Sequence, residues 1–381
     1  MNILFFASDN SAASGAFLSM AKLCELLERQ YGHKILVILP KEGTGEAILT
    51  SYGVRYKTVR SYSWIVDSRK KRTVKEELII AVKKLLNLKC INECVNIARN
   101  EKIDLIHINT LWSYVGAETA KKCKLPYVWH IREFLEEDQN AMIWNKEKGY
   151  KLISNADQVI CISESVKKKY SGLLNTRRIR TIYNGIDSSF YSGRENLLLE
   201  DKMTFLIVGS VNENKGQDQI VKACVKLLKS GFDQFKLYIV GKSGNNFQEK
   251  LQTMIPNEFN DRFSFEGVRG NVKDYFESAD ITFVCSKAEA FGRVTVEAML
   301  SGSLVIGSNT GGTAELIKDN ETGYLYEYGN VDELADKILY VQNNREKARQ
   351  VAAAGREYMM ENMTAEANAK NVNSVYRELF A

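Results

Sequence analysis

Residues 280–307 read Asp280-Ile-Thr-Phe-Val-Cys-Ser286-Lys-Ala-Glu289-Ala-Phe-Gly292-Arg-Val-Thr-Val-Glu297-Ala-Met-Leu-Ser-Gly302-Ser-Leu-Val-Ile-Gly307. An apolar run rich in β-branched and aromatic residues ends near Ser286, and a loop holding Gly292 follows. A helix is expected to start close to Arg293, and a second apolar run covers 304–307. Strand, helix and strand in this order are the unit from which parallel, helix-covered sheets are built.

The same alternation runs along the whole chain. Further strands are expected at 2–7, 34–39, 105–109, 127–130 and 158–163, then at 204–208, 236–240, 263–265, 281–285 and 323–326. Both halves read as doubly wound Rossmann-like units, and 381 residues exceed what one core usually supports. The expected division is an N-terminal domain at 1–187, a polar, glycine-bearing linker at 188–201 and a C-terminal domain at 202–381. The last helix is a candidate to pack back on the N-terminal domain. Asp157-Gln-Val-Ile-Cys-Ile-Ser163 and Asp280-Ile-Thr-Phe-Val-Cys-Ser286 echo one another as Asp, five strand residues and Ser.

Composition narrows the class. Apolar residues make up 45% and charged residues 26%, with three prolines, as in a chain with sizeable cores. The opening residues lack a basic leader, and no apolar run approaches the ~18 residues of a spanning helix, so a cytoplasmic protein is expected. The seven cysteines are scattered, with no Cys-x-x-Cys pair, and read as buried free thiols. Cys90 and Cys94 share a helical face, but three histidines in the chain leave a zinc site without partners.

The net charge of +5 is unevenly placed, with residues 1–190 strongly basic and 191–381 net acidic. Arg69-Lys70-Lys71-Arg72 follows Trp64-Ile65-Val66 and precedes an amphipathic stretch from Val74 to Ala98. That combination suits the surface of an anionic membrane, and equally a solvated helix face. No basic and aromatic interleaving along a groove marks a nucleic-acid binder.

In doubly wound sheets ligands sit beyond the carboxyl ends of strands. Backbone N–H groups near Arg293 would there attract phosphate or hydroxyl groups. Glu297 could accept two hydrogen bonds from the vicinal hydroxyls of a ribose, and Glu289 could face a sugar ring. Spacing alone equally allows two surface carboxylates flanking a core helix.

The full string, running on to Gly311-Gly312-Thr-Ala-Glu315, resembles the retaining glycosyltransferases of family four, also called glycosyl transferases group 1. Other stretches carry the same likeness: Ser14-Gly15-Ala16, Asn184-Gly185-Ile186-Asp187, Val208-Gly209 with Lys215-Gly216, Val240-Gly241, and Asp274 to Asp280.

The resemblance implies a GT-B fold, two Rossmann-like domains facing across a cleft, and sugar transfer from a UDP- or GDP-linked donor. It implies that Lys215 neutralises the diphosphate, Glu297 holds the ribose and Glu289 the sugar. Gly15, Gly209, Ser210, Phe291, Gly292 and Arg293 would line the donor, and His130 would lie near the transferred sugar or acceptor. Two departures stand out: Ser210 occupies a place where arginine is common, and Ser14-Gly15-Ala16 replaces a more usual Gly-Gly pair. His107 shares the strand-end setting of His130, whereas His33 is expected to be solvent-exposed.

No Asp-x-Asp occurs, so neither a metal clamp nor a cofactor is expected, and leaving-group charge would fall to Lys215 and its neighbours. The absence of Gly-x-Gly-x-x-Gly after the first strand weighs against a nicotinamide enzyme, and a Walker motif is absent too. The implied acceptor is a glycan or lipid-linked sugar in bacterial polysaccharide or glycolipid assembly, at a membrane face if the basic patch engages one. A non-catalytic, two-lobed sugar-binding protein is the alternative.

Overall fold

The structure, a computed structural model, describes residues 1–193, 197–198, 200–244 and 246–381. They divide into two compact units, Met1–Gly185 with Ala365–Ala381, and Ile186–Thr364.

The first unit is built on nine strands: β1 Asn2–Phe6, β2 Lys34–Leu39, β3 Arg55–Thr58, β4 Ile65–Asp67, β5 Leu105–Asn109, β6 Tyr127–Ile131, β7 Ala141–Ile143, β8 Gln158–Cys161 and β9 Ile179–Thr181. Its helices are α1 Gly15–Tyr31, α2 Glu46–Ser51, α3 Val74–Asn100, α4 Val115–Cys123, α5 Lys146–Ser154 and α6 Glu164–Ser171. Seven strands form a parallel sheet in the order β3-β2-β1-β5-β6-β8-β9, while β4 and β7 pair antiparallel beside it. The central strands are buried residue after residue, as covered parallel strands must be.

The second unit holds β10 Met203–Val208, β11 Phe235–Val240, β12 Phe263–Gly267, β13 Ile281–Val284, β14 Leu304–Ser308 and β15 Tyr324–Tyr326. Helices α7 Gln217–Lys229, α8 Phe247–Thr253, α9 Val272–Ser278, α10 Arg293–Leu300, α11 Gly311–Leu316, α12 Val331–Asn343 and α13 Arg345–Asn362 cover it. Its six strands run parallel in the order β12-β11-β10-β13-β14-β15.

In each sheet the chain winds outward from its first strand, then returns to wind the other way. The crevices where the order reverses lie between β1 and β5 and between β10 and β13, which is where such sheets bind ligands. Each reversal uses the same latch: an aspartate just before the returning strand accepts a hydrogen bond from the start of its neighbour. Asp104 Oδ2 takes the Asn2 N–H at 2.7 Å, and Asp280 Oδ2 takes that of Thr204 at 2.8 Å. Asp157 does the same for Tyr127 at 2.9 Å, so the echo between residues 157 and 280 marks a shared structural device.

The last helix, α14 Ala365–Leu379, belongs to the first unit. Its Ala365, Ala369, Val372 and Tyr376, at helical spacing, join the core under β1 and α1. The crossing between units falls at 185/186 rather than at 187/188. Of the expected linker, residues 188–190 form a 3₁₀ turn of the second unit, and residues 194–196 and 199 lie outside the described residues.

Three expectations are corrected. His33 is not solvent-exposed: it is 9% exposed, and its Nε2 meets Asn373 Oδ1 of α14 at 2.8 Å. The amphipathic stretch over Val74 to Ala98 is a helix, but its apolar residues lie on two faces. Ile80, Cys90 and Ile91 point inward, while Val74, Leu78, Val82, Leu85 and Leu88 are exposed on the other side. Four short strands, β3, β4, β7 and β9, have no counterpart among the expected ones. The cysteines are all free, with Cys123 half-buried and the others buried.

Candidate functional site

In the second unit the site grows from the carboxyl ends of β10 and β13. After β10 the chain turns through Gly209, at φ +143°, which L side chains rarely adopt. Asn212 Oδ1 then accepts the N–H groups of Asn214 and Lys215, which winds the short turn that carries Lys215. Gly216 lets this turn close against β13, since a Cβ there would stand 2.1 Å from the Cys285 carbonyl oxygen.

The loop after β13 is fixed from the other side. Gly312 N–H donates to the Glu289 carbonyl at 2.7 Å, and a Cβ on Gly312 would lie 2.3 Å from the Phe291 carbonyl oxygen. Ser308 and Thr310 hydroxyls both donate to the Ser286 carbonyl, at 2.8 and 2.7 Å. Gly311-Gly312 and the Glu289 loop thus touch backbone to backbone.

The result is a half-buried ion pair, Lys215 Nζ to Glu289 Oε2 at 2.7 Å. One turn into α10, Arg293 Nη2 meets Glu297 Oε1 at 2.7 Å. Gly292, at φ +98°, caps that helix, and Phe291 is buried beneath the loop. Ser210 is exposed, and its carbonyl accepts from Gln217 Nε2 at 3.0 Å. The structure therefore brings Glu289 and Lys215 into contact, with Arg293 and Glu297 paired beside them on the first turns of α10.

In the first unit Gly15 opens α1 directly after the N-cap Ser14, whose hydroxyl donates to Asp9 Oδ2 at 3.0 Å. Burial raises the Asp9 pKa despite these donors. This loop is braced by a segment that sequence reasoning missed. Thr44 Oγ1 accepts the Ala12 N–H at 2.9 Å, and Gly43 passes so close that a Cβ would stand 2.1 Å from the Asn10 carbonyl oxygen.

His130 is the penultimate residue of β6 and is wholly buried. Arg132, unassigned in the sequence, organises its surroundings: Nε donates to Asn109 Oδ1 at 2.6 Å, Nη1 to Asn184 Oδ1, and Nη2 to His130 Nδ1 at 3.3 Å. A guanidinium can only donate, so Nδ1 of His130 is an acceptor and the ring proton sits on Nε2. His107 Nε2 points at the same Nδ1 at 3.3 Å, and Tyr376 OH reaches His107 Nδ1 at 2.6 Å. Burial, then the Arg132 charge, push both histidines well below their usual range, so both stay neutral. Nε2 of His130 has no partner among the described residues.

Beside them Glu133 accepts the N–H groups of Leu111 at 2.6 Å and Arg132 at 3.0 Å, yet burial lifts its pKa to about 7.

Two parallel α/β units, each with polar side chains gathered at its reversal point, define the GT-B architecture, and the comparisons with known proteins agree. The description "Glycosyltransferase Family 4" matches residues 13–190, and "Glycosyl transferases group 1" matches residues 192–358. The chain belongs to this glycosyltransferase family. An uncharacterised glycosyltransferase of Methanocaldococcus jannaschii is 29% identical over 345 residues, 85% of this chain and 92% of that protein. N-acetyl-alpha-D-glucosaminyl L-malate synthase of Bacillus anthracis is 24% identical over 302 residues, covering 76% and 78%. The crystal structure of Anabaena HepE in complex with UDP superposes with a TM-score of 0.80 at 20% identity, covering 99% of this chain and all of that one.

Proposed function

We propose that this chain transfers a hexosyl group from a UDP- or GDP-linked donor to a glycan or lipid-linked acceptor, with retention and without a metal ion. The observation that carries the reading is the Lys215–Glu289 pair at the β10/β13 crevice, with Arg293–Glu297 beside it. In the absence of donor each cation is held by a carboxylate. A diphosphate entering the crevice would take Lys215 and Arg293, and would release Glu289 to sugar hydroxyls and Glu297 to the ribose.

As the bond from the anomeric carbon to the phosphate oxygen breaks, the diphosphate gains charge, and fixed cations stabilise it in that state more than in the ground state. The acceptor oxygen forms the new bond to that carbon, and its proton passes to the departing diphosphate. His130, neutral and protonated on Nε2, can act as a hydrogen-bond donor and not as a base. The lack of Asp-x-Asp supports a site in which side-chain cations do the work of a metal.

Calorimetric titration with UDP, GDP and their sugar conjugates, without metal, tests this. One nucleotide should bind selectively, and Glu297→Ala should weaken it by about ten-fold or more, the loss expected for a charge-assisted bond. Binding that needs Mg²⁺, or that ignores Glu297→Ala, would overturn the assignment.

A membrane partner is the second part of the reading. Among the described residues no helix is long and apolar enough to cross a membrane. Arg69 pairs with Asp67 at 3.1 Å and Arg72 with Glu77 at 3.0 Å, so Lys70, 4.0 Å from Asp67, and Lys71 are the less neutralised part of the basic cluster. The exposed leucines and valines of α3 add the apolar contact that charge alone lacks. Flotation with anionic vesicles at low salt should carry the protein upward, and Leu78→Ser with Leu85→Ser should abolish it. Neutral and anionic vesicles behaving alike would speak against the reading.

A further inference from the structure

In the first unit, residues of α3, α4 and α5 together with Trp64 and Trp144 line a cavity of 580 Å³, within the ~300–1,000 Å³ typical of ligand sites. Its floor is aromatic. Trp64 and Tyr114 stand 5.2 Å apart between centroids, Tyr114 and Trp144 6.0 Å, and Trp64 stacks on Trp129 of β6 at 6.1 Å. Leu88 and Leu152 continue the apolar lining.

The rim is basic. Lys84, Lys121, Lys148 and Lys151 face a single acidic lining residue, Glu118. Lys121 pairs with that glutamate at 3.3 Å, and Lys84 lies over the Trp144 ring at 5.6 Å. Lys148 and Lys151, three apart on α5, have no carboxylate partner among the described residues.

An apolar floor under a cationic rim fits one kind of molecule, with a hydrocarbon body and a compact anionic end. Leu88 is half exposed and lines both the cavity and the outer face of α3, so the floor continues into the exposed apolar stripe. A chain longer than the cavity could therefore follow that stripe. A free sugar would leave the apolar floor unused, and a neutral lipid would leave Lys148 and Lys151 without counter-charge.

We propose that this cavity binds an isoprenyl or long-chain alkyl phosphate, with the phosphate on Lys148 and Lys151 and the chain against Trp64, Tyr114 and Trp144. The proposal deepens the reading of a lipid-linked acceptor and gives its lipid phosphate a defined seat. The site is a single-molecule pocket, distinct from the diffuse attraction of Lys70 and Lys71 to a charged surface.

Trp64 and Trp144 report on the test directly. Titrating the full chain with farnesyl phosphate below its micellar concentration should change tryptophan fluorescence saturably. Farnesol should bind about ten-fold or more weakly, and inorganic phosphate should give no change. Lys148→Glu with Lys151→Glu should erase the preference for the phosphate over the alcohol, and Trp144→Ala should weaken both ligands, with circular dichroism showing each variant folded.

Equal affinity for farnesol and farnesyl phosphate, or a preference that survives the double lysine change, would overturn the proposal. So would response to anionic vesicles alone and not to monomeric farnesyl phosphate. Nucleotide binding is followed in the same protein by calorimetry. Its failure counts against the donor site, and failure of farnesyl phosphate counts against this cavity, so the two are told apart.

Discussion

One arginine decides the protonation of a histidine it was never matched to in the sequence. Arg132 donates to His130 Nδ1, and Tyr376 donates to His107 Nδ1, so both rings carry their proton on Nε2. Nitrogen-15 NMR of the histidine rings should show the Nε2–H pattern for both across neutral pH, and Tyr376→Phe should leave that of His130 unchanged because Arg132 still fixes it. An Nδ1–H signature at His130 would contradict the arrangement. The histidine itself is legible in Val128-Trp129-His130-Ile131-Arg132-Glu133, but the roles of Arg132 and His33 are not. Their partners Asn109, Asn184 and Asn373 lie far off in the chain, and no local period connects them.

Among elements, what is legible follows how completely a strand is buried. The inner strands are rich in buried Ile, Val, Leu and aromatic residues, and they stand within a residue or two of where the sequence places them. β3, with Arg55 and Lys57, is an edge strand, and β4, β7 and β9 are three residues each, too short for any period to show. The donor loop was legible for another reason: Gly311-Gly312 is glycine because Glu289 and Phe291 press on it. Gly312→Ala should therefore cost about 1–3 kcal/mol through overpacking and weaken nucleotide binding together with the melting temperature. A variant that melts lower yet binds UDP as before would show that the loop and the crevice are not coupled. The two-faced α3 escapes a simple periodicity argument, since an apolar residue toward the core and one toward solvent look the same in sequence.

At the scale of the molecule, the two-unit division is visible in the repeated alternation of strands and helices. Which residues finish each unit is less so. Val372 and Tyr376, on a helix, complete the core of a sheet whose strands all precede residue 182. Removing residues 365–381 should abolish the calorimetric transition of the first unit and leave that of Ile186–Thr364 in place. Two unchanged transitions would mean that α14 is dispensable to the first core.

The order of synthesis gives that returning helix a further consequence. A ribosome delivers Ile186–Thr364 as one unbroken stretch, whereas the N-terminal sheet stays open along its α14 seam until the last residues emerge. At ~5–20 residues per second the wait lasts roughly 10–40 s. During that interval the seam between α1 and β1 must be shielded by something other than its own chain, which makes the first unit, though made first, the later of the two to become safe from aggregation.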